Sequence, residues 1–179
     1  GHRRLRIERS PLSRRFLVGP VRRRSALTHR TGPHYNPFGS QAEKAWAAGF
    51  TGSPDVFVGV LDSGIQTDHP DLAANIWTNP GEIAGNGIDD DGNGYVDDLH
   101  GWNAVNDNGN VSYVDAATDA HGTHVTGTIG AVGGNGIGVA GVNWNVTMIS
   151  GKALTNGTGW YSDFIQAIDY LTFLKTRKG

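Results

Sequence analysis

The apolar positions of this chain cluster in two short runs that predict buried strands. Residues 56–61 are continuously apolar and lie between turn signals, and residues 146–154 form a second, largely apolar run. Segments of this kind are typical of strands that are covered on both faces of a parallel sheet. The first run ends at Asp62, which therefore falls at the carboxyl edge of the predicted sheet, where open α/β folds place their chemistry.

Two further segments have the composition of helices. Residues 41–50 predict a short helix that ends at Gly49, and residues 121–131 predict a helix that begins near His121. Small residues are frequent in the second segment, which favours close packing against another element over a solvent-facing surface. Between these segments, residues 75–118 are rich in Asn, Asp and Gly and predict a long loop.

The last apolar pattern predicts an amphipathic helix over residues 161–175. Phe164, Ile168 and Leu171 fall on one stripe of this helix and are expected to face the core. Strand, helix, strand and helix in this order indicate an α/β fold with a mostly parallel sheet.

Charge is distributed very unevenly along the chain. The formal net charge is −2, yet residues 1–30 carry ten Arg against a single acidic residue, Glu8. We therefore expect a disordered, basic leader over residues 1–33, followed by one globular domain over residues 34–179. An arm that binds nucleic acid is the weaker alternative, because nothing in the leader would read bases.

Composition excludes several classes of protein and site. The chain of 179 residues is long enough to bury a core, and it contains no cysteine, which excludes disulfides and thiolate metal sites. No apolar run approaches the roughly 20 residues of a membrane-spanning helix, so no membrane partner is expected.

The acidic loop at residues 86–98 has the ligand spacing of a calcium site. Oxygen-bearing groups stand at alternate positions: Asp89, Asp91, Asn93, the carbonyl of Tyr95, and Asp97. This spacing matches an EF-hand loop, with Gly94 at the sharp turn. His100 replaces the expected bidentate glutamate, so Asp98 or a group elsewhere has to complete the shell. A solvated acidic loop is the alternative, against which the repulsion among its carboxylates argues.

The histidines at positions 121 and 124 admit three explanations. Zinc binding is disfavoured, because helical zinc motifs space their histidines i, i+4 around a glutamate, whereas Gly122 stands here and no third ligand is nearby. General-base catalysis by His121 requires a carboxylate on one ring nitrogen, which Asp62 could supply. In the third explanation, Asp62 caps a turn and His121 is an ordinary loop histidine.

Two longer motifs resemble the signatures of the subtilases, the subtilisin-like serine endopeptidases. They are VGVLDSGIQTDHPDL at residues 58–72 and HGTHVTGTIGA at residues 121–131. The resemblance implies a three-layer subtilisin-like fold. It also implies that Asp62 orients His121, which acts as the general base, and that His124 is a structural neighbour packed under its helix.

The third subtilase motif, Gly-Thr-Ser-x-Ala with the nucleophilic serine, has no counterpart in these residues. The asparagine of the oxyanion hole cannot be placed either. The resemblance therefore implies the N-terminal part of a catalytic domain, with a sheet that is incomplete at its C-terminus. Such a chain is expected not to cleave peptides efficiently by itself. The alternative is a catalytically inactive remnant that binds calcium or peptides.

The resemblance also implies a substrate-binding edge. Residues 154–163 are similar to the segment that pairs with extended substrate in subtilases, through the backbone groups of Asn156, Gly157, Thr158 and Gly159. Trp160 or Tyr161 would line an apolar subsite. The expected partner is thus a protein or peptide in an extended conformation.

A second calcium site is implied by the same resemblance. It would combine Asp71 with the loop after the catalytic helix, which supplies Asn135 and the carbonyls of Val132, Ile137 and Val139. Calcium sites of this kind stabilise the folded state by mass action and suit extracellular calcium levels. The resemblance therefore favours a secreted, calcium-binding serine protease.

Overall fold

The computed structural model describes residues 4–6, 40–113 and 116–177, without the side chains of residues 4–6 and 116–118. Almost all of the expected leader at residues 1–33 lies outside the described residues. In chain order the elements are β1 (Arg4–Arg6), α1 (Ala42–Ala47), β2 (Gly52–Asp62), a short 3-10 helix (Ala73–Asn75), β3 (Gly101–Asn103), α2 (Ala116–Gly130), β4 (Asn145–Lys152), β5 (Thr158–Trp160) and α3 (Tyr161–Arg177).

A parallel sheet of three strands forms the centre of the fold, in the order β2-β4-β3. In the register of these strands, Lys152 at the end of β4 pairs with Asp62 on one side and with Asn103 on the other. All three strands therefore end at the same edge, and each ends with a polar side chain.

Helices α2 and α3 cover opposite faces of this sheet. Successive residues of β4 point to opposite sides, as in any strand. Met148 joins the core cluster that α2 covers, whereas Ile149 joins the cluster that contains Tyr170 of α3. These three layers, with a parallel sheet in the middle, confirm the predicted α/β class.

The prediction that residues 56–61 are buried on both faces is wrong for the first half of that run. Val56 and Phe57 are 53% and 44% exposed, and Val60 is the fully buried residue of the run. β2 is an edge strand of the described sheet, so only its last residues are covered by both helices.

The helices begin and pack somewhat differently from the predictions. α1 and its end at Gly49, which has a φ of 88°, agree with the sequence. α2 begins at Ala116 rather than near His121, and β3 lies within the predicted long loop.

The face that α3 buries is also shifted from the predicted stripe. Ala167, Tyr170 and Leu174 are its buried residues, while Phe164 and Leu171 pack at the margin of the core. Ile168 is 50% exposed, so its predicted place in the core is wrong. The buried ring of Tyr170 packs edge-on against Tyr95, and this contact fixes which side of the helix faces inward.

A buried carboxylate ties α3 to the acidic loop. Asp98 is fully buried and accepts hydrogen bonds from the Asn79 amide (2.7 Å), the Asn93 amide (3.0 Å) and the Tyr170 hydroxyl (2.8 Å). Burial raises the pKa of Asp98 above its ordinary 3.8, although these hydrogen bonds oppose the increase.

We expect Asp98→Ala to lower the free energy of unfolding by about 3 kcal/mol, because it removes three hydrogen bonds to a buried carboxylate. The sign of the pH dependence follows from the raised pKa. Between pH 3.8 and the raised value, the folded protein binds more protons than the unfolded chain, so Asp98 makes stability fall as the pH rises. Urea unfolding at several pH values measures both effects. A stability difference between the native protein and Asp98→Asn that does not vary with pH would contradict the assignment.

Candidate functional site

Asp62 and His121 meet at the carboxyl edge of the sheet. Nδ1 of His121 lies 2.9 Å from Oδ1 and 2.8 Å from Oδ2 of Asp62. The Asp62 side chain is 9% exposed, whereas that of His121 is 54% exposed. The carboxylate thus holds one ring nitrogen on the protein side, and Nε2 remains for exchange of a proton on the solvent side.

The turn after β2 is tied to α2 through Ser63. The Ser63 backbone N–H donates to Oδ1 of Asp62 (2.7 Å), and the Ser63 hydroxyl donates to the carbonyl of Asp119 (2.6 Å). The same hydroxyl accepts the backbone N–H of Gly122 (3.1 Å). These three bonds fix the carboxylate and the helix relative to each other. The sequence marks Ser63 only as part of the Asp motif, so its linking role is seen only in three dimensions.

Gly122 permits the close contact between this turn and the helix, as the sequence suggested. A Cβ atom at Gly122 would lie 2.2 Å from the carbonyl oxygen of Gly64 and 3.1 Å from Cβ of Asp62. Both neighbours belong to the turn that holds the carboxylate, so neither can move without shifting Asp62.

We expect Gly122→Ala to lower the free energy of unfolding by about 2 kcal/mol, because the added methyl group overlaps backbone atoms. Thermal unfolding measures this cost. Gly127→Ala is the matched control, since a Cβ atom at Gly127, on the same helix, meets nothing within 4 Å. Equal costs for the two variants would contradict the close packing of Gly122.

The neighbouring histidine does not occupy the predicted position. His124 is exposed on α2, so it is not packed under the helix. His121 itself lies in the second turn of α2, because the helix starts five residues earlier than predicted. The effect of the helix dipole, which is strongest within the first turn, is therefore smaller at His121 than a helix starting there would give.

Two more charged groups are buried close to the pair and were not identified from the sequence. Lys152 and Asp119 are both fully buried. Burial lowers the pKa of Lys152 below its ordinary 10.5, while attraction to Asp119 and to Asp62 opposes the decrease. The one signal in the sequence that could have indicated such a group is a lysine within the otherwise largely apolar run at residues 146–154.

The acidic loop gathers three carboxylates that can hold a metal ion. Oxygen atoms of Glu82, Asp89 and Asp91 all lie within 4.8 Å of one another. Asp89 and Asp91 belong to the predicted set, whereas Glu82 comes from the preceding turn and was missed. Hard, anionic oxygens at this separation fit Ca²⁺. Glu82 thus adds a third carboxylate to the two from the predicted set.

The other predicted ligands of this loop make different contacts. The Asn93 carboxamide oxygen accepts the N–H of Tyr95, and its nitrogen donates to Asp98. The Asp97 carboxylate accepts the backbone N–H groups of residues 86 and 87. The Tyr95 ring packs on Trp102 and Tyr170. The side chains of Asn93 and Asp97 thus take part in the loop's own hydrogen bonds, as the Asp89 carboxylate also does, and the prediction that they bind one cation stays a prediction.

The second predicted ligand set is assembled around Asp71, but through donors. Oδ1 of Asp71 accepts the amide N–H of Asn135 (2.8 Å), and Oδ2 accepts the backbone N–H of Val139 (2.9 Å). The N–H of Val132 donates to the carbonyl of Asp71, and that of Ile137 to the Asn135 side-chain oxygen. These contacts bring the predicted residues together around Asp71 but do not test cation binding, so a calcium site at Asp71 stays a prediction.

The predicted substrate edge consists of a turn and a short strand. Asn156 and Gly157 have φ values of 50° and 67° and form the turn, whereas Thr158 and Gly159 belong to β5. Asn156 and Gly157 are thus not part of an extended edge, because left-handed residues cannot continue a strand. A Cβ atom at Gly159 would lie 2.2 Å from the carbonyl oxygen of Ala153, so only glycine lets β5 lie this close to the core.

A strand from the basic leader pairs with this edge. β1 runs antiparallel to β5, with Leu5 opposite Gly159. Residues 4–6 therefore form a strand with backbone partners in β5, whereas the expectation of a disordered leader over residues 1–33 stays a prediction. The edge is able to add an extended strand.

Comparison with known proteins agrees with this geometry. A family model described as the subtilase family matches residues 53–178. Subtilisin-like protease 1 of Plasmodium vivax is 47% identical over 114 residues, which cover 62% of this chain and 17% of that protein.

Two prokaryotic proteins match a longer part of the chain. The halolysin-like extracellular serine protease Nep of Natrialba magadii is 36% identical over 140 residues, 78% of this chain and 22% of its own length. The major intracellular serine protease of Bacillus subtilis is 36% identical over 132 residues, 73% of this chain and 34% of its own length. The chain thus spans about a sixth to a third of the length of these relatives.

Among the described residues, no helix is long and apolar enough to cross a membrane.

Proposed function

Because the chain belongs to the subtilase family, we propose that it supplies the acid and the base of a serine endopeptidase. The observation that carries this proposal is the contact of 2.8 Å between Nδ1 of His121 and the buried Asp62 carboxylate. A carboxylate in this position fixes the tautomer of the imidazole and stabilises the imidazolium that forms during the reaction.

In the proposed reaction, Nε2 of His121 accepts the proton of a serine hydroxyl while that oxygen attacks the carbonyl carbon of the peptide. The imidazolium, held by Asp62, then gives this proton to the departing amine, which leaves an ester on the serine. A water molecule, activated by the same nitrogen, hydrolyses the ester and regenerates the serine.

Ser63 does not fit the role of the nucleophile, although it lies next to Asp62. Its hydroxyl is buried and donates to the carbonyl of Asp119, and it also accepts the N–H of Gly122. Attack by Ser63 would break both contacts and would occur on the protein side of the imidazole. The serine has to approach Nε2 from the exposed side of His121.

The same proposal gives β5 the role of a substrate edge. The pairing of β1 with β5 supports it, because an extended peptide needs the same row of backbone groups. Trp160 and Tyr161 are 37% and 48% exposed directly after Gly159 and are available to an apolar side chain of the substrate. The proposed substrate is therefore a protein or peptide that binds in an extended conformation.

Calcium is the proposed cofactor, and its role is to stabilise the loop rather than to take part in proteolysis. Glu82, Asp89 and Asp91 would hold it. Their fit is supported by the chemistry of the donors, which are three carboxylates, one of which, Asp91, also contacts Arg177 at 3.4 Å. A site of this kind, filled at extracellular calcium levels, also supports secretion. One of the relatives is named as an extracellular protease and another as an intracellular protease, so the relatives include both locations.

The experiment that tests the proposed activity uses the full-length protein that contains this chain. We expect it to hydrolyse a fluorogenic peptide and to form a covalent adduct with a fluorophosphonate, which reacts with activated serines. Both reactions are expected to stop when Asp62 and His121 are replaced together. A folded protein that neither cleaves the peptide nor reacts with the probe would contradict the proposal and favour an inactive domain that binds calcium or peptides.

A further inference from the structure

Lys152 occupies an unusual place for a lysine. It is fully buried, it ends the central strand β4, and it is the register partner of Asp62. Its ammonium group donates a hydrogen bond to the carbonyl of Ser63, the residue that follows Asp62. Among the described residues it is the only buried lysine or arginine. An unpaired charge in such a position costs several kcal/mol.

Asp119, on α2, is a buried residue of opposite charge. It is fully buried, it lies two residues before His121, and both oxygens of its carboxylate lack a hydrogen-bond partner. Its backbone carbonyl accepts the Ser63 hydroxyl, so Asp119 and Lys152 both contact the same residue of the turn. A buried carboxylate without partners requires a compensating positive charge nearby.

We propose that Lys152 and Asp119 form a buried pair of opposite charges that positions Asp62 against His121. Lys152 binds the turn after β2 through the backbone carbonyl of Ser63. Asp119 belongs to the helix that carries His121, and its own carbonyl accepts the Ser63 hydroxyl, so Ser63 contacts both residues. The pair rests on the proposed catalytic roles of Asp62 and His121 and adds two positioning residues to them. Neither residue of the pair touches the substrate in this proposal.

The pair also balances the charge behind the imidazole. Asp62 and Asp119 place two negative charges near His121, and Lys152 supplies one positive charge. His124, one turn further along the same helix, is another titratable group close in sequence to His121, and it is exposed. Removal of the cation therefore makes the surroundings of His121 more negative, and removal of the Asp119 charge makes them less negative.

The test follows the titration of His121 by NMR in this chain and in two variants. We expect the midpoint of the His121 titration to rise in Lys152→Met and to fall in Asp119→Asn, each by on the order of one pH unit. The double variant Lys152→Met/Asp119→Asn is expected to return close to the native midpoint. A purely structural role for these residues would lower the melting temperature without opposite movements of the midpoint.

Two controls complete the experiment. Lys175→Met removes an exposed lysine of α3 and is expected to leave the His121 midpoint unchanged. Lys152→Arg retains the charge and is expected to keep the midpoint close to the native value. If Lys152→Met does not fold, Asp119→Asn and the double variant decide between the outcomes. Movement of the midpoint in the same direction in all folded variants, or no movement, would overturn the proposal.

The readout does not depend on peptide hydrolysis. A full-length protein without peptidase activity, in which the His121 midpoint still moves in opposite directions, would contradict the proposed function and leave the pair intact. An active protein in which the midpoint does not respond would contradict the pair alone.

Discussion

Replacement of His121 by alanine is expected to lower kcat/KM of the full-length protein by about 10⁴- to 10⁶-fold. The reason is that the His121 imidazole, whose Nδ1 lies 2.8 Å from the Asp62 carboxylate, is the group proposed to accept the proton of the serine. Asp62→Asn is expected to cost about 10⁴-fold, because an amide favours the wrong tautomer of the imidazole. Initial rates on a fluorogenic peptide measure both changes.

His124→Ala is the matched control for this prediction. His124 is one helical turn from His121 but is exposed, so its loss is expected to change kcat/KM by no more than a few-fold and stability by no more than about 0.5 kcal/mol. The two histidine variants therefore separate the general base from its neighbour. Similar losses of activity in both would show that the assignment of His121 is wrong.

The sequence was sufficient to predict the fold class and to select Asp62 and His121 as a pair. The apolar runs marked strands β2 and β4, and each motif has a glycine where two backbones approach, as at Gly122. What the sequence did not reveal is the support beneath the pair. Lys152 ends β4, Asp119 belongs to α2 and Ser63 follows β2, so the register of the sheet and the packing of α2 on it bring them together.

The helical predictions failed where packing, rather than periodicity, determines which face is buried. Ile168 fits the apolar stripe as well as Leu171 does, but the contact of Tyr170 with Tyr95 and Asp98 rotates α3 so that Ile168 is half exposed. Tyrosine is treated as a polar residue when an apolar helical stripe is read from a sequence. In the fold, Tyr170 is a core residue, because its ring is buried and its hydroxyl is hydrogen-bonded. Such contacts between distant residues are not visible in a local pattern.

The acidic loop illustrates the same difference at the level of a proposed site. The sequence pattern selected alternate residues of one segment, as in an EF-hand, whereas the structure combines Asp89 and Asp91 with Glu82 from the preceding turn. Glu82 also accepts the backbone N–H groups of Asp90, Asp91 and Asp97. The same side chain therefore fixes the backbone of the loop and adds a carboxylate to the proposed site. The EF-hand spacing begins at Asp89, so it cannot identify a carboxylate such as Glu82 that comes earlier in the chain.

Glu82→Gln is therefore expected to remove the stabilisation of the protein by calcium. At a calcium concentration a thousand times the dissociation constant, binding contributes about 4 kcal/mol, on the order of 10 °C in the melting temperature of a domain of this size. We expect the native chain to show this increase between chelator and saturating Ca²⁺. In Glu82→Gln and Asp91→Ala the increase is expected to fall to a small fraction, because each variant removes one of three anionic ligands.

Asp97→Asn distinguishes the structural ligand set from the set that the sequence pattern selects. The pattern includes Asp97, but in the structure its carboxylate accepts the backbone N–H groups of Asn86 and Gly87. We therefore expect Asp97→Asn to lower stability in chelator while it retains most of the increase on addition of calcium. If Asp97→Asn abolishes the increase and Glu82→Gln preserves it, the EF-hand-like spacing describes the site and the grouping around Glu82 does not. Melting curves of the native chain and the three variants, with Ca²⁺ and with chelator, decide between these two ligand sets.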